Sequence, residues 1–448
     1  MTSLNIAVIG SGISGLSAAW LLGKAHRVTL FEAEDRLGGH TNSVPITVDG
    51  KDHVVDTGFI CFNEATYPNL IAMLAHLGVE TQPTTMSFAA SMGGGAYEYA
   101  GGTWLGMVGQ PSNILRADHW LLIRDILRFF KSAPAQVEAI PAGLSIGDWV
   151  LREAYSQVFI DRHLLPMAAA IWSGRVGDMM NYPARAFMRF FANHGLLKMY
   201  GRPGWRSIAG GSGQYIERML SDSTIQVRRD AAVKKVVRDG ASATVHLRDG
   251  TTAAFDQVVI ATHADQALAM LENPSAEERS LLGAFDYSSN TAVLHTDRSL
   301  MPKHKLTWAS WNYLDWNTKS GQPADDCDLC VTYWMNRLQN IKSTSDILVT
   351  LNPPEDHPIK NELGRYSYSH PIFDAAALTA QEQLWSLQGE NRTWFCGAHF
   401  GAGFHEDGLQ SGLAVAEQLG NVRRPWDVVN ESGRISITHP AAGLMAAQ

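Results

Sequence analysis

Residues 7–42, AVIGSGISGLSAAWLLGKAHRVTLFEAEDRLGGHTN, decide the fold. The apolar run from Asn5 to Ile9 has the length and content of a buried strand, Ser14 to Lys24 carries a helical pattern, and Arg27 to Glu32 reads as a second strand. Strand, helix and strand in that order make a βαβ unit, which implies a parallel sheet. Between the first strand and the helix lies GSGISG, a G-x-G-x-x-G run. Gly10 there permits a tight turn, Gly12 lets the backbone approach a pyrophosphate, and Gly15 lets helix and strand pack closely. The helix start then offers unpaired N–H groups to phosphates. Glu32 lies seventeen residues beyond Gly15 at the end of the second strand, where a carboxylate can accept from both hydroxyls of a ribose. A dinucleotide site is predicted, with Ser14 and Ala33 in its contact set.

Working outward, 448 residues with 45% hydrophobic and 18% charged side chains allow two or three domains with large cores. The formal charge of −8 and the want of any Lys/Arg block argue against a nucleic-acid partner. Four cysteines, Cys61, Cys327, Cys330 and Cys396, do not make a disulfide framework, so a reducing cytoplasm is expected. The apolar start lacks a basic leader region and is interrupted by Gly10, Gly12 and Gly15, and is read as part of the fold. No run approaches the roughly 20 apolar residues of a membrane-spanning helix.

Further along, Asp49-Gly50 between two alternating runs signals a hairpin. From about Ser87 to Tyr200 the texture is helical and rich in Trp, Phe and Met. A meander punctuated by Asp239-Gly240 and Asp249-Gly250 then leads into the apolar strand from Val258 to Ala261. Residues 285–385 mix strands and loops, and the segment from Thr393 reads as strand, glycine-rich turn and helix. The expected class is α/β: a cofactor-binding domain from residues 1–82, 203–268 and 388–425, a mixed α+β substrate domain from 83–202 and 269–387, and a tail over 426–448.

The stretch DRLGGH, with Arg36, Gly38 and Gly39 soon after Glu32, resembles the R-x-G-G motif of flavoprotein oxidoreductases related to monoamine and polyamine oxidases, phytoene desaturases and protoporphyrinogen oxidase. The resemblance implies a Rossmann-like domain of the p-hydroxybenzoate-hydroxylase kind and non-covalent FAD. Arg36 would meet the cofactor's phosphates, and the glycines would let the loop lie along its middle. His40 stands where most amine oxidases carry arginine, and joins the implied cofactor set. VVDTG, with Asp56, Thr57 and Gly58, resembles the family's short strand near the flavin. Val233 falls where a backbone commonly holds the adenine, and Thr262 and Gly397 close the other two cofactor segments. CGAHFGAGFHEDGLQSG resembles the C-terminal flavin motif, onto which Glu406 or Asp407, Gly408, Leu409 and Gln410 map. A helix N-terminus placed there would stabilise an anionic reduced flavin.

No second G-x-G-x-x-G follows a strand, so a built-in NADPH site is not expected. Cys327 and Cys330 lie in a strand-like run, where residues three apart face opposite ways, and read as packing. The histidines His40, His263, His295, His399 and His405 show no ligand spacing, and no metal is expected. The strand NTAVLHTD lacks the lysine that amine oxidases usually hold beside the flavin; Thr291 aligns there. In WLLIRDILRFFK, Trp120, Ile123, Ile126, Leu127 and Phe130 are expected on one helix side and Arg124, Arg128 and Lys131 on the other, a pattern open to a membrane interface or to packing.

DTGFICFNEATYPNL, LLPMAAAIWS, RFFANHGLL and GGSGQYIERM resemble a bacterial subgroup of flavoproteins that modify membrane fatty acids, relatives of which act on the way to furan fatty acids. The implied reaction removes a hydride and a proton from a methyl-branched unsaturated acyl chain. Pocket candidates are Asn63, Tyr67, Trp172, Ser173 and His399. An amine oxidase and a flavin-retaining protein without turnover stand as alternatives. Peripheral contact with the inner face of the cell membrane and self-association are both open.

Overall fold

The computed structural model describes residues 2–141, 143–172, 177–193, 195–197, 201, 203–316 and 329–437. Asn5–Ile9 pairs in parallel with Arg27–Phe31 on one side and Gln257–Ile260 on the other. Gln226–Arg228 and Thr393–Phe395 extend the two edges, also in parallel, to five strands. The central strands, NIAVI and QVVI, are buried along almost their whole length, as strands covered on both faces are. On one face the glycine-loop helix Ile13–Leu22 packs against the C-terminal helix His405–Gly420. They cross so closely that a Cβ at Gly412 would lie 2.1 Å from the Ser14 carbonyl oxygen. The expected meander forms as Val233–Arg238, Ala243–Leu247 and Thr252–Phe255, with Gly240 and Gly250 at positive φ in its turns.

A second, seven-stranded sheet carries the other half. Its order is Glu362–Ile372, Asp286–His295, Leu348–Leu351, Val331–Trp334, Trp311–Leu314, Phe88–Met92 and Tyr97–Ala100. All neighbours are antiparallel except Trp311–Leu314 with Phe88–Met92. The segment from Ser87, expected to be helical, thus opens with a strand pair. Gly93, Gly94 and Gly95 all take positive φ and turn the chain there, before helices begin at Trp104. The hairpin at Asp49-Gly50 pairs Ser43–Val48 with Lys51–Asp56, both turn residues having positive φ.

Helices from Trp104 to Asn193 cover one side of the seven-stranded sheet, around Phe129, Trp149, Phe159, Phe187 and Phe191. The longest, Ala117–Gln136, buries His119, Leu122, Ile123, Asp125, Ile126, Phe129 and Ala133. This corrects the expected faces: Trp120 and Leu127 point outward with Arg124 and Lys131, because Leu122 and Phe129 take the core positions. Cys330 is a buried thiol beside the strand Val331–Trp334, and Cys327 lies outside the described residues. Trp172 and Tyr182 pack against the cores of both halves and so mark the seam between them.

Candidate active site

The glycine loop and the arginine loop form one structure. Gly10 has φ 98°, its N–H donates to the Phe31 carbonyl at 2.8 Å, and a Cβ there would meet the Ala261 oxygen at 2.9 Å. At Gly15 a Cβ would sit 1.9 Å from the Gly10 oxygen, whereas at Gly12 it would meet nothing within 4 Å. Gly10 and Gly15 are therefore required by the protein's own packing, and Gly12 borders open space at the helix start. Ser14 is buried toward the C-terminal helix, its hydroxyl near the Cys396 thiol. Thr262 follows the strand Gln257–Ile260, and its methyl lies 3.2 Å from the Gly10 Cβ position.

Ser11, which no motif singled out, joins the parts. Its N–H donates to Glu32 Oε2 at 2.9 Å, its hydroxyl donates to the same oxygen, and its Oγ accepts from the Gly38 N–H at 3.1 Å. Glu32 Oε1 accepts from the Glu34 N–H, and Ala33 between them is exposed. Arg36 donates to the Gly39 carbonyl at 2.8 Å and pairs with Glu34 at 3.0 Å. Gly38, at φ 113°, would press a Cβ to 2.5 Å from the Thr41 oxygen, and Gly39 lies against the Cα of Gly12. The two glycine motifs thus touch.

From His40 onward the loop enters a cluster of rings. A Cβ on Gly58 would meet the His40 carbonyl oxygen at 2.2 Å, and that carbonyl accepts from the Phe59 N–H. The His40 ring lies 5.0 Å from Tyr368 and 5.2 Å from His370. Tyr368 shares hydrogen bonds with Thr57 at 2.8 Å and Asn42 at 3.0 Å, and Asn290 reaches the His370 ring at 3.1 Å. His263 stacks on Tyr287, and His399 packs edge-on to Phe285. His405, first residue of the C-terminal helix, stacks on Phe59 at 3.8 Å and bonds Tyr215. Burial holds all five imidazoles below their usual range: His370 to about 4, His399 and His405 to about 3. The Nε2 atoms of His40 and His399 are buried without a protein partner.

Tyr368 and His370 are cross-strand partners of Asn290 and Ser288, so these residues share a face. Thr291 pairs with Ser367 on the opposite face, away from the His40 cluster, because neighbouring residues of a strand face opposite ways. Asn290 is on the face of Tyr368 and His370, and it too is not lysine.

The remaining candidates separate into groups. Glu406 accepts from the N–H groups of Asn69 and Leu70 at the start of the helix Pro68–His76, and from the side chains of Asn69 and Gln410. Asp407 forms a bidentate pair with Arg434 at 2.6 and 3.0 Å and accepts from the Phe404 N–H. A Gly408 Cβ would press on Ile13, and Leu409 is fully buried. Gly397 is locked by a two-way exchange with Ser411. Val233 opens the meander ahead of a register shift at Lys235. Asn63 Oδ1 caps its own turn through Ala65 and Thr66. Tyr67 is buried, touching Phe62 and the Arg434 guanidinium. Trp172 meets Tyr182 and Phe190, and Phe190 stacks on Phe404 at 4.7 Å, immediately before His405. Ser173 lies outside the described residues. Among the described residues no group of His, Cys, Asp or Glu could hold a metal ion.

A family model for flavin containing amine oxidoreductases matches residues 13–339, most of the chain. The chain belongs to this family. It is an FAD-dependent oxidoreductase, and the open space at Gly12, the joined glycine loops and the buried, unpartnered nitrogens of His40 and His399 fit such a cofactor. Among solved structures, a fatty acid isomerase from P. acnes is similar with a TM-score of 0.64 at 14% identity, over 93% of this chain and 98% of that one. Cyclohexylamine oxidase from Brevibacterium oxydans IH-35A is similar with a TM-score of 0.66 at 14% identity, over 93% of this chain and all of that one. These likenesses show a shared fold. An L-amino-acid oxidase from Bungarus fasciatus is 55% identical over 40 residues, 9% of this chain and 8% of that relative, so the match spans under a tenth of either protein.

Proposed function

We propose that this flavoprotein dehydrogenates a methyl-branched, unsaturated fatty acyl chain. The observation that supports this reading is the want of an uncommitted buried charge around the ring cluster. Among the described residues there, Asp56 accepts from Ser43, Ser212 and Gln339, Glu406 from Asn69, Leu70 and Gln410, and Asp407 is paired with Arg434. Arg36 is held by Gly39 and Glu34. A substrate ammonium would need a carboxylate and a substrate carboxylate a guanidinium; each of the groups named already has a protein partner, and Asp265, near His263, is exposed to solvent. A hydrocarbon needs neither. The aromatic run of Trp172, Tyr182, Phe190 and Phe404 offers apolar surface reaching the start of the C-terminal helix. The fatty acid isomerase of similar fold supports the view that such a scaffold accommodates an acyl chain.

When bound, FAD supplies the hydride acceptor. The protein's part is to bind the chain in one register, exclude water and receive the second hydrogen as a proton, for which the neutral Nε2 atoms of His40 and His399 are the candidates. Loss of a hydride and a proton converts the branched alkene to a conjugated diene.

The test is anaerobic mixing of the yellow protein with micelle-dispersed branched acyl phospholipid. Bleaching of the flavin together with diene absorbance is expected, as is a changed acyl profile between cells with and without the gene. Bleaching by polyamines with peroxide release on aeration, and none with acyl chains, would overturn the reading in favour of an amine oxidase. Flavin that no donor bleaches would make this a binding protein.

A further inference from the structure

The surface around the long helix Ala117–Gln136 does not look like an ordinary solvated face. Trp104 and Leu105 are 64% and 67% exposed, Leu115 is 90% exposed, and Ile114, Trp120, Leu127 and Leu306 are also exposed. These side chains are neighbours. The Trp104 and Trp120 rings lie 6.5 Å apart, Trp120 Nε1 donates to the Ile114 carbonyl, and the helix Trp104–Val108 packs on the turn Lys305–Thr307 that carries Leu306. Along the long helix, Trp120, Arg124, Leu127 and Lys131 recur at spacings of four, three and four, which puts them in one outward stripe. Exposed apolar groups gathered in this way mark an interaction surface.

The charge pattern selects the partner. Residues 101–131 hold four cations, Arg116, Arg124, Arg128 and Lys131, against Asp118 and Asp125, a balance of 4 − 2 = +2 in a chain of −8. Asp118 is paired with Arg116 and Arg162, and Asp125 is buried beneath Arg124. The adjacent Lys303 and Lys305 are exposed. We propose that this rim docks on the surface of an anionic phospholipid bilayer. Projecting Trp, Leu and Ile side chains interleaved with Lys and Arg suit the depth at which headgroups meet acyl chains, with apolar tips inserted and cations at the phosphates. Among the described residues no helix is long and apolar enough to cross a membrane, so the contact is peripheral. The use of this contact, bringing the protein to its substrate, rests on the acyl-chain reading; the contact itself does not.

The experiment is flotation of the full-length flavoprotein with vesicles of phosphatidylcholine alone or mixed with phosphatidylglycerol. Flotation with the anionic vesicles, weakened by salt, is expected. The double variants Leu105→Ser/Leu115→Ser and Lys131→Glu/Lys305→Glu should each bind about tenfold or more weakly. Their flavin content and melting should be unchanged, since all four side chains are exposed. No flotation of the parent protein, or equal flotation of the variants, would overturn the proposal. So would a parent dimer that the variants convert to monomers in light scattering, because a second copy would then be what covers the face. Flavin bleaching by micellar acyl chains is scored separately. A protein that floats but never bleaches sinks the proposed activity and leaves the docking surface standing, and the converse result does the opposite.

Discussion

The parallel sheet and the seven-stranded sheet both border the histidine cluster, but they hold their sides of it by different means. On the parallel side the constraints are made by backbone: Gly15 against the Gly10 carbonyl, Gly58 against the His40 carbonyl, and Gly412 against the Ser14 carbonyl. On the other side they are made by side chains, with Tyr368 bonded to Thr57 and Asn42 and His370 to Asn290. Close backbone contact tolerates no added atom, whereas a hydrogen-bonded side chain can be exchanged at a bounded cost. Substitutions on the two sides should therefore differ in kind.

The largest effect is expected at Gly15. A Gly15→Val chain must separate helix from strand, at a cost of about 4 kcal/mol or outright failure to fold; soluble protein that still melts with the parent would break the comparison. Glu406→Ala comes next, since it strands donors of Asn69, Leu70 and Gln410 in a buried place, at about 3 kcal/mol in a urea titration.

Acid should act through the buried imidazoles. In the seven-stranded sheet His295 is fully buried, bonded to Thr350 and Asp297, and lowered to about 4 by that burial. The unfolded chain takes up this proton near 6.5 and the folded one only near 4, so stability present above pH 6.5 falls as pH drops through that window. Each such proton contributes a slope of about 1.4 kcal/mol per pH unit. His295→Gln should remove one proton from the slope, read from urea titrations across pH 4.5 to 6.5; an unchanged slope would show that His295 does not titrate there. Asp56, raised to about 6 by burial, gives the opposite sign, favouring the fold as pH falls from about 6 to 3.8.

Smaller still, Tyr368→Phe should lose about 1 kcal/mol with flavin retained, because the ring contact with His40 survives the loss of two hydrogen bonds. The smallest effect on stability, within about 0.5 kcal/mol, is expected for Gly12→Ala, whose new methyl meets no protein atom. The same variant should shed flavin on gel filtration where the parent keeps it. Equal flavin retention would remove Gly12 from the cofactor cradle.

The glycine loop, the hairpin at Asp49-Gly50 and the meander were legible because each depends on a local backbone requirement that one residue type satisfies. Ser11 was missed because its hydroxyl gains meaning only when Glu32 and Gly38 fold back on it from 21 and 27 residues away. The long helix was read with its faces shifted, since helical period alone cannot say whether Trp120 or Phe129 meets the core. Which of Asn290 and Thr291 faces the ring cluster depends on strand register, which puts Asn290 there and Thr291 on the other face.

What the sequence by itself determined is the cofactor class and the parallel βαβ frame, because glycine spacing and a carboxylate at a strand end are local and chemically narrow. Only the tertiary structure decided which side chains gather around His40. Asn290, Tyr368 and His370 meet His40 through the pairing of two strands about 80 residues apart, and the neutral character of that cluster follows from burial, which no short stretch of sequence carries.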